Sequence, residues 1–204
     1  MTENIVILAN SRKLNGRCVA GKNSDGVWIR LTKTNGVPIP IAEARNYKML
    51  SIFKVEGLVN RPSEDFNYHT ENSTYTRVSV AGDYHNSTFR DLLDYPDDIF
   101  GPGKRVDEDL AQELEESLLF VRVENLYISK EDGGIYKDKL RGRFIYNRIH
   151  YNDIAVTDSN VERAFSTRRC QHQEYYPTAY ITISLGELFQ GYAYKLLSGV
   201  YIPA

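Results

Sequence analysis

Short apolar runs separated by turn residues recur along most of the chain. The first three runs lie at residues 5–9, 17–21 and 27–31. Apolar and polar positions then alternate at residues 74–80 and again at 178–185, a period that is typical of strands with one buried face. The pattern predicts an N-terminal β meander and about ten short strands in the whole chain.

The second half of the chain has the same β character. A strand is predicted at residues 119–128, and a hairpin is predicted within residues 140–156, around an Asn-Arg turn. A short helix is expected at residues 160–165. Either Asp158 or Ser159 is suited to cap it, because a side-chain oxygen at that position accepts hydrogen bonds from the first free backbone amides.

The apolar repeat between the two β-rich halves has helical spacing. Leu110, Leu114 and Leu118 recur every four residues, and Asp107 can cap the first turn. We therefore expect one amphipathic helix of about three turns that is acidic on its outer side and packs against a sheet.

Short strands can pair all of their hydrogen-bonding edges when they close into a small barrel. About ten strands divided by one central helix therefore predict a mainly β protein with two barrels packed together. The expected boundaries are residues 1–84 for the first barrel, 85–118 for the helical connection and 119–204 for the second barrel.

The net charge of −2 hides an uneven distribution. Residues 94–116 hold nine acidic and two basic residues, so the remainder holds 25 − 2 = 23 basic and 27 − 9 = 18 acidic residues, a surplus of +5. The total gives no indication of a strongly basic nucleic-acid binder, but it is compatible with a basic face opposite an acidic one. An ordinary mixed surface is the alternative.

Cellular location is suggested only by what the sequence lacks. It contains no charged-then-apolar leader and no apolar run of about 18 residues, so we expect a cytoplasmic protein without membrane contact. Cys18 and Cys170 are far apart in sequence, and no disulfide is expected in that compartment.

Three separated groups of residues occur in order along nearly the whole chain: LANSRK (8–13) with GRCVAGK (16–22) and WIR (28–30); GRFIY (142–146) with Tyr151 and VTD (156–158); and SLGE (184–187) with YKL (194–196). In these motifs the chain resembles the bacterial dual OB-containing domain family. The resemblance implies two OB-like β-barrels, association with nucleic acid, and a place in a bacterial defence or conflict system. It carries over no catalytic residues.

OB barrels bind single strands with a basic groove and aromatic platforms. In the first barrel, Trp28 and Arg30 share one face of their strand, so a base could stack on Trp28. The alternative is that Trp28 belongs to the core and Arg30 pairs with an acidic residue.

The first connection, residues 10–13, is the predicted phosphate-binding loop, because side chains in a connection can reach phosphate without cost to a core. A solvated loop without a ligand is the alternative. The candidate residues at and beside this connection are Asn10, Ser11, Arg12, Lys13 and Arg17.

In the second barrel, Arg141 and Arg143 share a strand face and are predicted to follow phosphates, while Phe144 and Tyr146 fill the barrel. Either this basic group or a second one could form a binding rim, or could instead pair with the acidic helix. The further residues of the two groups are Lys137, Lys139, Arg148, Arg163, Arg168 and Arg169.

The residues indicate no catalytic constellation. The four histidines lack zinc-type spacing, and Cys170 with His172 is too little for a metal site. We therefore predict no catalytic residues, no metal and no cofactor.

The best-supported hypothesis is a non-catalytic nucleic-acid-binding module, with single-stranded DNA or RNA as the partner. A protein-binding adaptor or regulatory subunit is the first alternative, and a nucleotide-processing enzyme is the second. OB-like barrels also bind peptides and oligosaccharides, so the fold by itself does not choose between these functions.

Overall fold

Strands dominate the chain, with 53% of residues in strands and 9% in helices. The structure is a computed structural model that describes residues 2–86, 88–134 and 138–203, without the side chain of Asn35. The chain divides into two compact units. Unit 1 is Met1–Leu93 with Gln112–Leu118, and unit 2 is Asp94–Ala111 with Leu119–Ala204. The predicted helical connection, residues 85–118, is thus shared between the two units.

Unit 1 is a half-barrel that begins with the predicted meander. Its elements are β1 (Thr2–Lys13), β2 (Gly16–Lys22), β3 (Trp28–Thr32), a 3-10 turn (Thr34–Gly36), α1 (Ile41–Ala44), β4 (Ser51–Glu56), β5 (Val59–Asn60), β6 (Asn72–Thr74) and β7 (Arg77–Asp83). The strand order is β5-β6-β3-β2-β1-β4-β7. Only two residues separate β6, which runs parallel to β3, from β7, which runs antiparallel to β4.

The core of unit 1 lies on one face of this sheet. It consists of the buried residues Ile5, Ile7, Val19, Ile29, Leu31, Ile39, Ala44, Tyr47, Phe53 and Val55. Because successive strand residues point to opposite faces, every second residue of β3 faces away from this core.

Unit 2 is a ring of strands with the connectivity of a complete five-stranded OB barrel. Its elements are β8 (Arg105–Asp107), α2 (Glu108–Gln112, whose last residue belongs to unit 1), β9 (Leu118–Glu131, whose first residue belongs to unit 1), β10 (Lys139–Tyr146), β11 (Ile149–Val156), α3 (Ser159–Phe165), β12 (Gln173–Phe189) and β13 (Tyr192–Tyr201). Parallel pairing of β11 with β13 closes the order β11-β10-β9-β12-β13. The prediction of a mainly β protein with two OB-like barrels is confirmed.

Local sequence features explain several elements of unit 2. The predicted β10–β11 hairpin is confirmed, and both of its turn residues, Asn147 and Arg148, have positive φ angles. The helix after β11 is also confirmed, with Asp158 as its N-cap. The side chain of Asp158 accepts hydrogen bonds from the amides of Asn160 and Val161 at 2.7 and 2.9 Å.

The central helix is much shorter than predicted. It ends at Gln112, Leu110 is 57% exposed, and Leu118 already belongs to β9. Within unit 1, the residues after the helix bind to a loop instead of forming further turns. The Gln112 side chain accepts from the amide of Asn67 at 2.8 Å, and Thr70 donates to the carbonyl of Glu115 at 2.8 Å.

Across the ranges that the structure describes, no helix has the length and apolar character needed to cross a bilayer.

Candidate nucleic-acid interface

The predicted phosphate-binding loop of unit 1 is the end of a strand. Residues 10–13 belong to β1 and pair with β2, with Arg12 opposite Arg17 and Lys13 opposite Gly16. The connection itself is limited to Leu14 and Asn15, and Asn15 has a positive φ of 62°. The prediction of a loop at residues 10–13 is therefore wrong, because the β1–β2 hairpin turns tightly and keeps these residues in its ladder.

The five candidates of this hairpin differ in exposure. Arg12 is exposed, Lys13 and Arg17 are partly exposed, and Ser11 is buried. Asn10 has a structural role, since its amide donates to the carbonyls of Ala44 and Tyr47 at 2.8 and 2.9 Å. Arg12, Lys13 and Arg17 are therefore the members of this group that can reach a ligand.

Trp28 and Arg30 share a strand face as predicted, but that face is covered. Trp28 is 7% exposed and Arg30 is 6% exposed, on the side of β3 opposite the core residues Ile29 and Leu31. The Lys22 ammonium lies 5.1 Å from the Trp28 ring centroid and donates to the carbonyl of Leu92 at 2.9 Å. Trp28 therefore offers no open face for a base.

Arg30 belongs to a buried polar network. Its Nη2 atom lies 2.7 Å from Oε1 of Glu71 and donates to Oγ of Ser117 at 2.6 Å, while Ser117 donates to the same Glu71 oxygen at 2.5 Å. Glu71 is 5% exposed and Ser117 is fully buried. This is the pairing with an acidic residue that the sequence left open as the alternative for Arg30.

Unit 2 places a basic side chain among aromatic rings on its outer surface. Arg143 and Tyr127 are directly opposite each other on β10 and β9, and the Arg143 guanidinium lies 4.2 Å from the Tyr127 ring centroid. The ring centroids of Tyr127 and Tyr175 are 4.6 Å apart, and the Tyr175 hydroxyl donates to Asn125 at 2.8 Å. Arg143 and Tyr175 are both exposed.

A bulge in β11 links this group to further basic side chains. Asp153 has a positive φ of 57° where the pairing of β10 with β11 shifts register, and such bulges redirect side chains. Its carboxylate lies 3.1 Å from Nε of Arg141 and also binds the ammonium of Lys104. Arg141 is thus half-buried and paired, whereas Arg143 two residues later is exposed.

Arg105 follows Lys104 in the chain and adds a further basic side chain, next to the β12–β13 hairpin. Its guanidinium stacks 3.6 Å from the ring centroid of Tyr192. We call this surface of unit 2 the basic–aromatic belt and define it as Tyr175, Tyr127, Arg143, Arg141, Lys104 and Arg105.

A buried lysine supports the part of the belt at the start of β8. The Lys195 ammonium donates to the carbonyls of Gly101 and Gly103 at 2.5 and 3.0 Å, and the Lys195 amide donates to the carbonyl of Lys104 at 3.0 Å. Burial lowers the pKa of Lys195 to about 8. Lys195 therefore positions the segment that carries Lys104 and Arg105.

The second basic group of unit 2 is dispersed. Arg168 lies 3.7 Å from Glu174, and Arg163 donates to Asn160 on its own helix. Of the first group, Lys137 lies outside the described residues. The members of the first group that the belt includes are Arg141 and Arg143.

One exposed group of metal-type ligands is found in the part of the chain that the structure describes. Ligand atoms of Asp132, Asp138 and Cys170 lie within 4.8 Å of one another. The Lys130 ammonium is 3.1 Å from Asp138 and already balances that charge. We interpret the group as a surface ion pair beside a thiol.

Strand periodicity singled out Arg141 and Arg143 but missed the aromatic members of the belt. Tyr127 and Tyr175 belong to the belt because of their neighbours on adjacent strands. Those neighbours depend on the register of β9, β10 and β12, which the sequence does not define. Arg105 was missed because it lies within the acidic residues 94–116, in the three-residue strand β8.

A ring of strands with OB connectivity and a basic–aromatic outer face defines the chain as an OB-type β-barrel protein. The sequence profile of the dual OB-containing domain family matches residues 3–200, so the chain belongs to that family. No curated protein matches the sequence.

Proposed function

We propose that this protein binds single-stranded nucleic acid, without catalysis, on the basic–aromatic belt of unit 2. The observation that carries the proposal is the exposed Arg143 stacked on Tyr127, with Tyr175 beside them. Guanidinium groups bind phosphate, and aromatic faces stack on unpaired bases. OB barrels bind oligonucleotides on the outer face of their second and third strands, which correspond to β10 and β11 here.

The hairpin of unit 1 is a second contact in this proposal. Arg12 is exposed at its tip and Arg17 is partly exposed beside it. Basic side chains on a hairpin fit phosphate contacts, which add affinity without selecting bases. Trp28 and Arg30 are left out because both are buried. The cytoplasm and a bacterial defence system remain the expected setting.

Fluorescence anisotropy with a labelled oligonucleotide tests this function. Single-stranded DNA and RNA and the corresponding duplex are titrated at two salt concentrations. We expect the single strands to bind more tightly than the duplex, with affinity that falls steeply with salt because bound counterions are released. The absence of binding to any of these probes at low salt would overturn the proposal.

The contribution of the belt is tested with Arg143→Ala and the matched variant Arg163→Ala, which removes one exposed arginine of the same unit outside the belt. Loss of one phosphate contact lowers the slope of log affinity against log salt by about one. We expect this change for Arg143→Ala and not for Arg163→Ala.

A protein-binding adaptor is the second candidate function. Leu110 is 57% exposed on α2, next to the exposed carboxylates of Glu108 and Asp109. An exposed apolar side chain within an acidic surface fits a basic, partly apolar protein partner. Association with such a partner that Leu110→Ser abolishes, together with no oligonucleotide binding, would favour this function.

A further inference from the structure

One edge strand of unit 1 is long. The sheet of unit 1 ends at β5 and β7, and the ring of unit 2 leaves β8 at its edge. β5 has two residues and β8 has three, whereas β7 has seven. Short edge strands protect a sheet from pairing with another chain, because they present few free backbone groups. β7 lacks this protection.

The outer side of β7 is open. Its register with β4 is continuous from Arg77 to Val80 and then shifts by one residue at Ala81. Among the described strands, none pairs with the other side of β7. Five of its seven residues are exposed, and a Cβ atom added at Gly82 would meet nothing within 4 Å. The backbone N–H and C=O groups that point away from β4 are therefore accessible to a further strand.

The apolar face of the sheet continues to this open edge. Val78 packs against the core of unit 1, and Val80 lies directly opposite the core residue Phe53. Phe53 is 3% exposed, but Val80 is 67% exposed. Since directly opposite residues share a face of the sheet, Val80 extends the core side of the sheet to the edge. Another strand that pairs with β7 would bury apolar surface there as well as backbone groups.

The charges of β7 are complementary to those of a second β7. Arg77 begins the strand, Asp83 ends it, and the five residues between them are uncharged. In an antiparallel pair of two copies centred on Val80, Arg77 of each copy lies opposite Asp83 of the other. The two Val80 side chains then lie opposite each other. Both kinds of cross-strand pair stabilise a sheet, whereas parallel pairing would place Arg77 beside Arg77.

We infer that β7 is a self-association edge, at which a second copy of this chain pairs antiparallel with β7 and joins two seven-stranded sheets into one. This inference is independent of nucleic-acid binding and concerns a surface outside the basic–aromatic belt. Because the contact is one strand wide, the buried area is small, and we expect a dimer that dissociates at micromolar concentrations.

Sedimentation velocity over a range of protein concentrations, without an oligonucleotide, tests this inference. The wild type is expected to shift from monomer to dimer as its concentration rises. Val80→Lys places two like charges opposite each other at the centre of the contact and is expected to weaken dimerisation at least about tenfold. Leu14→Lys adds the same charge at an apolar position of unit 1 that is 83% exposed, and it is expected to dimerise as the wild type does. Thermal unfolding of each variant checks that the fold is retained.

Charge reversal tests the antiparallel arrangement. Arg77→Asp and Asp83→Arg each put like charges in opposite positions of the symmetric dimer. Each variant alone is expected to dimerise at least about tenfold more weakly than the wild type. An equimolar mixture of the two variants restores opposite charges at both contacts, so it is expected to form a heterodimer with an affinity close to that of the wild type.

The inference is overturned if the wild type remains a monomer up to about 1 mM, which would leave the β7 edge to a strand of another protein. It is also overturned if Val80→Lys dimerises as tightly as the wild type, because the dimer then forms through another surface. A mixture of the two charge variants that associates no better than either variant alone would exclude the antiparallel pairing of β7 with itself.

Discussion

The guanidinium group of Arg143 lies 4.2 Å from the ring centroid of Tyr127, its direct cross-strand neighbour. This stacking holds the planar cation against an aromatic surface, and such stacking at an exposed site contributes about 0.5–1 kcal/mol. The pair presents a charge for phosphate and lies next to the exposed Tyr175 ring, which can accept a base.

Tyr127→Leu is expected to weaken binding of a single-stranded oligonucleotide about 5-fold or more, because it removes both the support of Arg143 and one aromatic face. Tyr127→Phe keeps the ring and is expected to bind as the wild type does. Anisotropy titrations of both variants, with Tyr95→Leu as the control, measure the difference. Equal affinities of Tyr127→Leu and the wild type would exclude Tyr127 from the interface.

The fluorescence of Trp28 reports on the face of β3 opposite the core residues Ile29 and Leu31. The chain contains one tryptophan, and it is 7% exposed. We expect its emission to be that of a buried indole, to resist quenching by iodide, and to stay unchanged when an oligonucleotide saturates the protein. Strong iodide quenching that the oligonucleotide relieves would instead show that a base stacks on Trp28.

Arg30→Met is expected to lower the free energy of unfolding by about 3–5 kcal/mol, because it leaves the buried Glu71 carboxylate without its cation. The double variant Arg30→Met/Glu71→Leu removes both charges and is expected to cost less than Arg30→Met alone. Urea unfolding of the wild type, Arg30→Met, Glu71→Leu and the double variant completes this double-mutant cycle. Additive losses would show that the two side chains do not interact.

The buried network also contains polar atoms that gain little from it. Among the described residues, Nε of Arg30 and Oε2 of Glu71 are buried without a hydrogen-bond partner. Because these two atoms lack hydrogen bonds, replacing both charged side chains by an apolar pair of similar volume is expected to destabilise the protein less than removing one partner alone.

Lys195 makes stability depend on pH in alkaline solution. Burial lowers its pKa in the folded protein to about 8, below the ordinary value of 10.5 that applies in the unfolded chain. Between these values the unfolded chain binds more protons, so the free energy of unfolding rises with pH, by at most about 1.4 kcal/mol per pH unit for one group.

Urea unfolding of the wild type and Lys195→Met across this pH range isolates the effect, since other titrating groups are common to both proteins. The stability of the wild type relative to the variant is expected to be lowest below pH 8 and to increase up to about pH 10.5. A difference that stays constant or decreases with pH would contradict the lowered pKa.

The longer strands and the α3 helix could be predicted because their signals are local. Alternation fixes which face of β12 is buried, and Asp158 supplies the cap of α3 through amides two and three residues away. The length of α2 could not be predicted, because hydrogen bonds from Asn67 and to Glu115 hold the segment after Gln112 in a non-helical conformation.

Only part of the candidate site could be predicted from the sequence, again because the rest depends on contacts that local signals do not reveal. Period two places Arg141 and Arg143 on one face, but it does not show that Tyr127 lies opposite Arg143 or that a bulge turns Asp153 toward Arg141. It also placed Trp28 and Arg30 together without showing that other segments of unit 1 cover that face. Each missing fact is a contact between residues distant in the chain.

Photochemical cross-linking of a 4-thiouridine-labelled single-stranded RNA or a 5-iodouridine-labelled single-stranded DNA to the wild-type protein, followed by mass spectrometry of the peptides, tests the central claim most directly. We predict cross-links in the peptides that contain Tyr127 and Tyr175, and their loss when excess unlabelled strand competes. Competed cross-links confined to unit 1, around Arg12 and Arg17 or at Trp28, would contradict the assignment of the interface to unit 2.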